Sequence, residues 1–488
     1  MANAAFNTDV LIVGAGPVGL FLANECARRG LRFRLVEARA AQSEHSKALA
    51  IFPRTLEIFD MAGVVGPFLE KANRVTSVTM VTHGRTLAHM TFEPKESPYP
   101  FVAMVPQDVT ERLLVEALHG KGGAVEYDTA FVSAVQQENF VRVTLDQKGK
   151  QLQLTAAFVV GCDGAHSAVR HLLDLPFEGG GYEDSFLLAD VETNTTLPAN
   201  EMQLCPSELG PLAIFPISAT RRRIVATTEN AEGDAPSLDL VRKMLMERAP
   251  HGIEARTLYW SSYFRIYHRQ VTQLRVGRMF VAGDAAHIHS PFGGQGMNTG
   301  LHDAWNLVWK LDLALHGRGN ERLLESYSAE RRPVIKSVIE TTDFLTKAMG
   351  TPSKLAQLLR DTVIPMVSRL APFQHAFVNR LSELGVAYRG SPIVEGAGNR
   401  YFDDSVRGGE GIRSRFLLVF DSDANASSRE AAKQLCEFFS GVVELRLARQ
   451  HGITLVRPDG YIAYRADGAG DVAAELAPVR ALLQRQIS

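Results

Sequence analysis

A short apolar strand, Val10-Leu11-Ile12-Val13, runs into Gly14-Ala15-Gly16-Pro17-Val18-Gly19 and then into a helical stretch from Leu20 to Arg29. No other feature constrains the fold of this chain as much as this order of strand, glycine turn and helix. Gly14 permits the tight turn, Gly16 lets backbone approach a pyrophosphate, and Gly19 allows close packing of helix on strand. Pro17 suits a first helical turn, where its missing N–H costs little. A second strand, Phe33-Arg34-Leu35-Val36, ends at Glu37, 18 residues after Gly19. A carboxylate there can accept hydrogen bonds from ribose hydroxyls. The unit therefore predicts dinucleotide binding. A tightly packed βαβ unit without ligand is the alternative, and the motif alone does not separate FAD from NAD.

Two further segments repeat this build. Phe158-Val159-Val160-Gly161 leads into Cys162-Asp163-Gly164 and on to Ser167-Ala168-Val169-Arg170. Asp163 can organise that turn and Gly164 lets the chain pass close to a neighbour. Arg170 reads equally as a phosphate contact or a surface charge. The other segment is Met279-Phe280-Val281-Ala282-Gly283-Asp284, followed by Pro291-Phe292-Gly293-Gly294-Gln295-Gly296-Met297-Asn298. It opens a helix over 301–315 with Leu301, Ala304, Trp305, Val308, Leu311 and Leu315 on one face, so its tryptophans read as core. Helix N-termini carry unpaired N–H groups and partial positive charge, so the starts near Pro17 and Gly296 suit two ends of one long anionic cofactor. Asp284 is placed to bond hydroxyls of a chain lying there, with an Asx-turn as the alternative.

Other candidates are weaker. His287 and His289 flank this turn, but no third ligand is nearby and no metal is expected. Arg221-Arg222-Arg223 reads as a solvated edge, with a docking patch for a nicotinamide cofactor as the alternative. Formal charge is only -2, from 52 basic and 54 acidic residues, which points away from nucleic acid and anionic membranes. The four cysteines are far apart with no CxxC, as in a reducing compartment. A basic leader and an apolar run of about 18 residues are both absent, so a cytoplasmic protein without a membrane span is expected.

Taken in order, the GxGxxG at Gly14 to Gly19, the Asp163-Gly164 pair and the Gly283-Asp284 pair resemble the single-component FAD-dependent aromatic hydroxylases. So do His45-Ser46-Lys47-Ala48-Leu49-Ala50, the following Arg54-Thr55-Leu56-Glu57, and Pro106-Gln107-Asp108-Val109-Thr110-Glu111-Arg112. The resemblance covers about residues 8 to 350. It implies FAD as cofactor and NADH or NADPH as transient reductant. It implies that Asp284 bonds the ribityl chain, that the backbone of 293–298, including Gly294, Gly296, Met297 and Asn298, meets the flavin pyrimidine, that Arg112 reaches the pyrophosphate and that Gln107 lies by the ribityl or flavin region. Lys47 stands where relatives often carry arginine, and as a point charge it cannot stack as a planar fork does. Locally, Asp108 and Glu111 read as a capping pair for a helix ending before Gly120.

The implied fold class is α/β: a Rossmann-like FAD-binding domain of the glutathione reductase type with an inserted α+β substrate domain. Boundaries are expected at 1–179 for the first part, 180–270 for the insertion with a contribution from 75–105, and 271–395 for the second part with its helical connection. Strands at Leu212-Ala213-Ile214-Phe215-Pro216-Ile217 and Arg223-Ile224-Val225-Ala226-Thr227 are expected to pair and roof the flavin. Phe186, Leu204, Phe215, Pro291 and Phe292 are candidate pocket walls or simple core. Residues 396–488 resemble the thioredoxin-like C-terminal domain of the phenol hydroxylase and polyketide hydroxylase branch, without CxxC, and Asp459-Gly460 signals a hairpin turn. The expected reaction uses O2 and NAD(P)H, through a flavin C4a-hydroperoxide, to hydroxylate a small aromatic substrate, phenolic or polyketide-like. Epoxidation, Baeyer–Villiger oxygenation, antibiotic inactivation or a non-catalytic flavin sensor remain alternatives, and a homodimer is left open. No substrate-activating catalytic residue is named by the sequence.

Overall fold

A computed structural model describes residues 7–43, 46–92, 96–228, 231, 233–290, 293–349, 362–366, 368, 370–409, 413–449, 451–467 and 471–487. Its first sheet runs in the order Arg275–Val276, Met279–Val281, Lys150–Gly161, Thr8–Val13, Phe33–Val36, Val125–Glu126. From Met279–Val281 onward the neighbours are parallel. Val141–Gln147 pairs antiparallel with Lys150–Gly161, and Thr129–Gln136 pairs antiparallel with Val141–Gln147 in turn. Strands covered on both faces need continuous apolar runs, and Val10, Leu11, Ile12, Val159 and Val160 are all fully buried.

Register decides where the turns emerge. Val13 pairs with Gly161, and Gly161 with Val281. The three motif strands therefore end side by side, and the turns after residues 13, 161 and 281 open at one sheet edge. That carboxyl edge is where ligands of open α/β sheets bind.

A second sheet has eight strands in the order His287–Ile288, Ile253–Val271, Phe177–Thr195, Arg221–Thr228, Leu212–Pro216, Glu201–Cys205, Ser77–Thr82, Arg85–Thr91. The two strands expected as neighbours pair antiparallel, Ile214 opposite Ile224. Helix Leu238–Arg248 packs on its outer face through Val241, Met244 and Leu245. Ser237 caps this helix by accepting from the Leu240 N–H at 3.2 Å.

Two local readings need correction. The helix Gly296–Leu315 buries every residue from Met297 to Leu313, not one face only. It lies against the helices Pro17–Arg29 and Glu321–Met349 and against the C-terminal unit, so its polar residues had to find partners inside. The helix Gln107–Gly120 includes Gly120 and has no side-chain cap from Asp108. Glu111 instead accepts from Gln107 Nε2 at 2.8 Å.

The C-terminal unit is a four-stranded sheet, Val443–Ala448, Phe416–Asp421, Ile453–Val456, Ile462–Ala466, with helices Ala426–Phe438 and Val472–Ile487. The first pair is parallel and the other two antiparallel. Its expected hairpin turn is not a solvent loop. Asp459 is fully buried, and its carbonyl accepts from Trp305 Nε1 at 3.0 Å and Arg54 at 3.2 Å.

Candidate active site

The glycine turns meet. Gly14 has φ +99°, and a Cβ there would lie 2.5 Å from the Cys162 carbonyl oxygen, so the first and second turns touch. A Cβ on Gly19 would fall 1.9 Å from the Gly14 carbonyl oxygen, which keeps the helix close under the strand. Beyond, Val18 fills the notch left by Gly283 and Gly300, so the first and third turns touch as well. Gly16 differs: a Cβ on it would meet nothing within 4 Å. Open space thus lies at the N-terminus of Pro17–Arg29, where N–H groups lack helical partners.

Asp284 is exposed to solvent, yet surrounding protein pushes its carboxyl above the ordinary range, with His287 and Lys47 pulling the other way. A group both wetted and surrounded sits on the floor of a deep trench. His289 lies beside it; its Nδ1 bonds the Ser290 carbonyl at 3.0 Å, and its buried Nε2 has no partner. Burial, then His287, lowers its pKa to about 4, so the ring is neutral near pH 7. His287 is tied to Asp303 at 2.7 Å. Among the described residues no group of three metal-ligating side chains occurs. Open space over Gly16, a wetted Asp284 and an unpartnered His289 Nε2 fit an elongated polar cofactor such as FAD.

The remaining sequence candidates fall as follows. Glu37 accepts the Ala15 N–H at 2.9 Å and the Arg39 N–H at 3.0 Å. Burial raises its pKa, but the Arg39 guanidinium, donating at 2.9 Å, and then these backbone bonds outweigh that and leave it lowered. Gln107 accepts the Ala48 N–H at 3.1 Å and so fixes the 46–48 loop to its helix. Lys47 is exposed at that loop. Arg112 is exposed too, 4.0 Å from Glu116. The Asn298 side chain is spent within the protein, accepting from the Phe52 N–H at 3.0 Å and donating to the Ala50 carbonyl at 2.9 Å. Only backbone of the 293–298 turn is left for a ligand to read.

Asp163 and Arg170 are builders of the turns. Asp163 accepts from the Ser167 hydroxyl at 2.5 Å and the Val169 N–H at 3.2 Å, holding the helix Ala168–Leu172. Arg170 is neither phosphate ligand nor surface charge. It is buried over Phe177 and donates to the carbonyls of Ala165 at 2.8 Å and Ala285 at 3.1 Å, clasping the second turn to the third.

Phe186, Leu204 and Phe215 gather with Ala213, Phe264 and Met349 in one apolar cluster. Leu204 and Phe215 also touch a second cluster holding Leu49, Ala50 and Phe52. Ala50 and Phe52 are 3.5–3.6 Å from where a Gly294 Cβ would stand. The apolar walls therefore reach the 293–298 turn. Pro291 and Phe292 lie outside the described residues.

The arginine run needs the largest correction. Arg223 is buried, binds Asp190 through two bonds of 2.7 and 3.0 Å, and donates to the Lys47 and Ala48 carbonyls at 3.1 and 2.9 Å. It is neither solvated edge nor docking patch: it ties the second sheet to the loop beside Asp284. Its partner lies 33 positions away in sequence, so no local pattern announces the pair. The same is true of Asp303, an acid in an apolar helix, which accepts from Arg331 Nε at 2.7 Å and from the Gly283 N–H at 3.1 Å.

A parallel sheet with converging glycine turns, an apposed mixed sheet and aromatic walls between them define a flavin-dependent aromatic hydroxylase. The FAD binding domain family model matches residues 7–342, and the chain belongs to that family. It is 30% identical over 524 residues to 6-methylpretetramide 4-monooxygenase of Streptomyces rimosus, covering 96% of this chain and 93% of the relative. It is 30% identical over 473 residues to rifampicin monooxygenase of Streptomyces venezuelae, covering 94% and 96%. Anhydrotetracycline hydroxylase OxyS from Streptomyces rimosus superposes with a TM-score of 0.78 at 28% identity, covering 96% of this chain and 98% of that one. The protein is an FAD-dependent monooxygenase. No helix among the described residues is long and apolar enough to cross a membrane.

Proposed function

We propose that this enzyme hydroxylates an electron-rich aromatic ring, phenolic or polyketide-like, with NADH or NADPH and O2 as co-substrates. The observation that carries this reading is the aromatic cluster of Phe186, Phe215 and Phe264 reaching the 293–298 turn. Bound FAD supplies the redox chemistry, accepting hydride and activating oxygen.

The chain's own residues hold and shelter that chemistry. The Gly14–Gly19 turn, with Pro17 at the first helical position, brings the N-terminus of the Pro17–Arg29 helix to the pyrophosphate, helped by Arg112. Glu37 meets the adenosine ribose and Asp284 a ribityl hydroxyl, with Gln107 and Lys47 alongside. Asp163 and Gly283 shape the turns. Backbone N–H groups at Gly294, Gly296, Met297 and Asn298 face the pyrimidine edge, where the helix start favours negative charge. Phe186, Leu204 and Phe215 exclude water from the substrate ring, which protects a reactive oxygen donor from solvent.

The partition into 1–179, 180–270, 271–395 and 396–488 follows from this reading, with 75–105 serving the substrate sheet. The tail's strand order supports a thioredoxin-like unit, and without CxxC its role is packing or dimerisation. A cytoplasmic location suits the free cysteines.

The test is to purify the protein, record its absorbance near 450 nm, and screen phenols and polyketides for stimulated NAD(P)H oxidation with product identification. A flavoprotein whose NAD(P)H consumption no aromatic stimulates overturns the reading. The likeness to a rifampicin monooxygenase favours one second reading, in which the substrate is an antibiotic that oxygenation inactivates. Product mass and the position of the added oxygen separate the two.

A further inference from the structure

A cavity of about 460 Å³ lies between the Gly296–Leu315 helix, the Glu321–Met349 helix and the Ala371–Leu381 helix. At roughly 100° per residue, its lining residues Thr299 and His302 sit well around the helix from Gly300, which faces the cofactor turn. Its walls include Val334, Val338, Ala376 and Val386, and Glu383 is on its floor. That carboxyl is 4% exposed, and neither oxygen has a hydrogen-bond partner. His302 Nε2 stands 3.4 Å away, itself 3.0 Å from the Thr55 hydroxyl. Arg331 makes no hydrogen bond to it and donates instead to Asp303, Tyr388 and the Thr299 carbonyl. Arg380, at the exposed rim, is held by Thr341. Among the described lining residues, Glu383 alone has buried polar atoms left unmet.

Such groups are rare because a buried polar group left unmet is costly. Glu383 also has φ +59°, a left-handed conformation that disfavours any residue with a side chain. A carboxyl is thus kept where both burial and backbone oppose it. We propose that this cavity is a second ligand site, for a small amine whose ammonium head bonds Glu383 and whose apolar body rests on Val334, Val338 and Val386. The volume suits it, since small-molecule pockets run from about 300 to 1,000 Å³. Burial pushes the Glu383 carboxyl up to about 8, so an ammonium head bonds it with loss of that proton; Arg331 is balanced by Asp303, burial and the nearby arginines keep His302 neutral, and Arg380 stands at the mouth.

The experiment is calorimetric titration of the full-length holoenzyme with benzylamine, without NAD(P)H, against benzyl alcohol as the uncharged probe of like shape. Benzylamine is expected to bind one to one, at least about tenfold tighter than the alcohol. Glu383→Gln should weaken it by at least about tenfold while leaving flavin content unchanged. Ala376→Trp, which sets a bulky ring at the exposed edge of the groove and keeps the carboxyl, should weaken binding by at least about tenfold. Equal affinity for amine and alcohol, no heat at millimolar benzylamine, or binding that either variant leaves undiminished overturns the proposal.

Discussion

Val18 and Gly300 meet where two distant segments close on each other: a Cβ on Gly300 would lie 2.7 Å from Val18 Cγ2 and 2.9 Å from the Gly283 Cα. The helix Pro17–Arg29 can approach the helix Gly296–Leu315 only because that Cβ is missing. Both helix starts are thereby brought to one trench. Gly300→Ala, unstrained as a helical residue, must therefore push the two apart. We expect a loss of about 1–3 kcal/mol in stability and a lower ratio of flavin to protein absorbance. A variant with full flavin content and unchanged melting would show that this approach does not shape the trench.

Asp284→Ala tests the trench floor directly. On the proposed reading it removes a polar partner from a hydroxyl of the bound chain, with an expected loss of about 1–3 kcal/mol or roughly 5- to 150-fold in FAD affinity. Titration of apoprotein with FAD, followed by flavin fluorescence, reads this. Affinity equal to the parent's would remove Asp284 from the cofactor site.

Asp190→Asn probes the tie between the second sheet and the 46–48 loop. Arg223 would remain buried with one partner neutralised, and such orphaned charges cost about 3–5 kcal/mol. The denaturant midpoint should fall accordingly. Because Arg223 also holds the Lys47 and Ala48 carbonyls, flavin release should quicken as well.

The pH dependence of Asp303 has a defined sign. Burial raises its pKa, but Arg331 and then His287 outweigh burial and lower it to about 2. The unfolded chain therefore binds more protons in the window below the ordinary carboxyl value, and stability rises with pH there. This contribution is complete above about pH 4 and is lost as pH falls toward about 2. Asp303→Asn should flatten that acid limb in melting curves while lowering stability at pH 7 by about 3–5 kcal/mol. An acid limb as steep as the parent's would assign the effect to other carboxylates.

Glu330→Gln addresses how the C-terminal unit is held. Glu330 binds Lys310 at 2.8 Å and Arg457 at 2.5 and 2.8 Å, all fully buried. Removing its charge leaves two buried cations short of a partner, a loss of about 3–5 kcal/mol, so the midpoint of unfolding should drop by that much. Deleting residues 396–488 removes Arg457, leaves the Glu330–Lys310 pair facing the vacated surface and bares Trp309, and should yield insoluble protein. Soluble, flavin-bound protein from the deletion would mean the two units are independent.

What the chain declares by itself is local. Gly14, Gly16 and Gly19 after an apolar strand, and Gly283-Asp284 before a helix, specify turns whose geometry depends on a few consecutive residues. The strands at 212–216 and 221–228 follow from the same kind of pattern. Tertiary structure alone decided what the buried charges do. Arg170 looked like a ligand or a surface group and became a clasp between turns; Arg223 looked like an exposed edge and became a buried anchor; Asp459 looked like a hairpin tip and became a plug against Trp305. A buried charge is tolerable only with its partner in place, and here partners lie 2, 33 and 127 positions away. Backbone shape is written in neighbouring residues, whereas the pairing of desolvated charges is settled by which surfaces fold together.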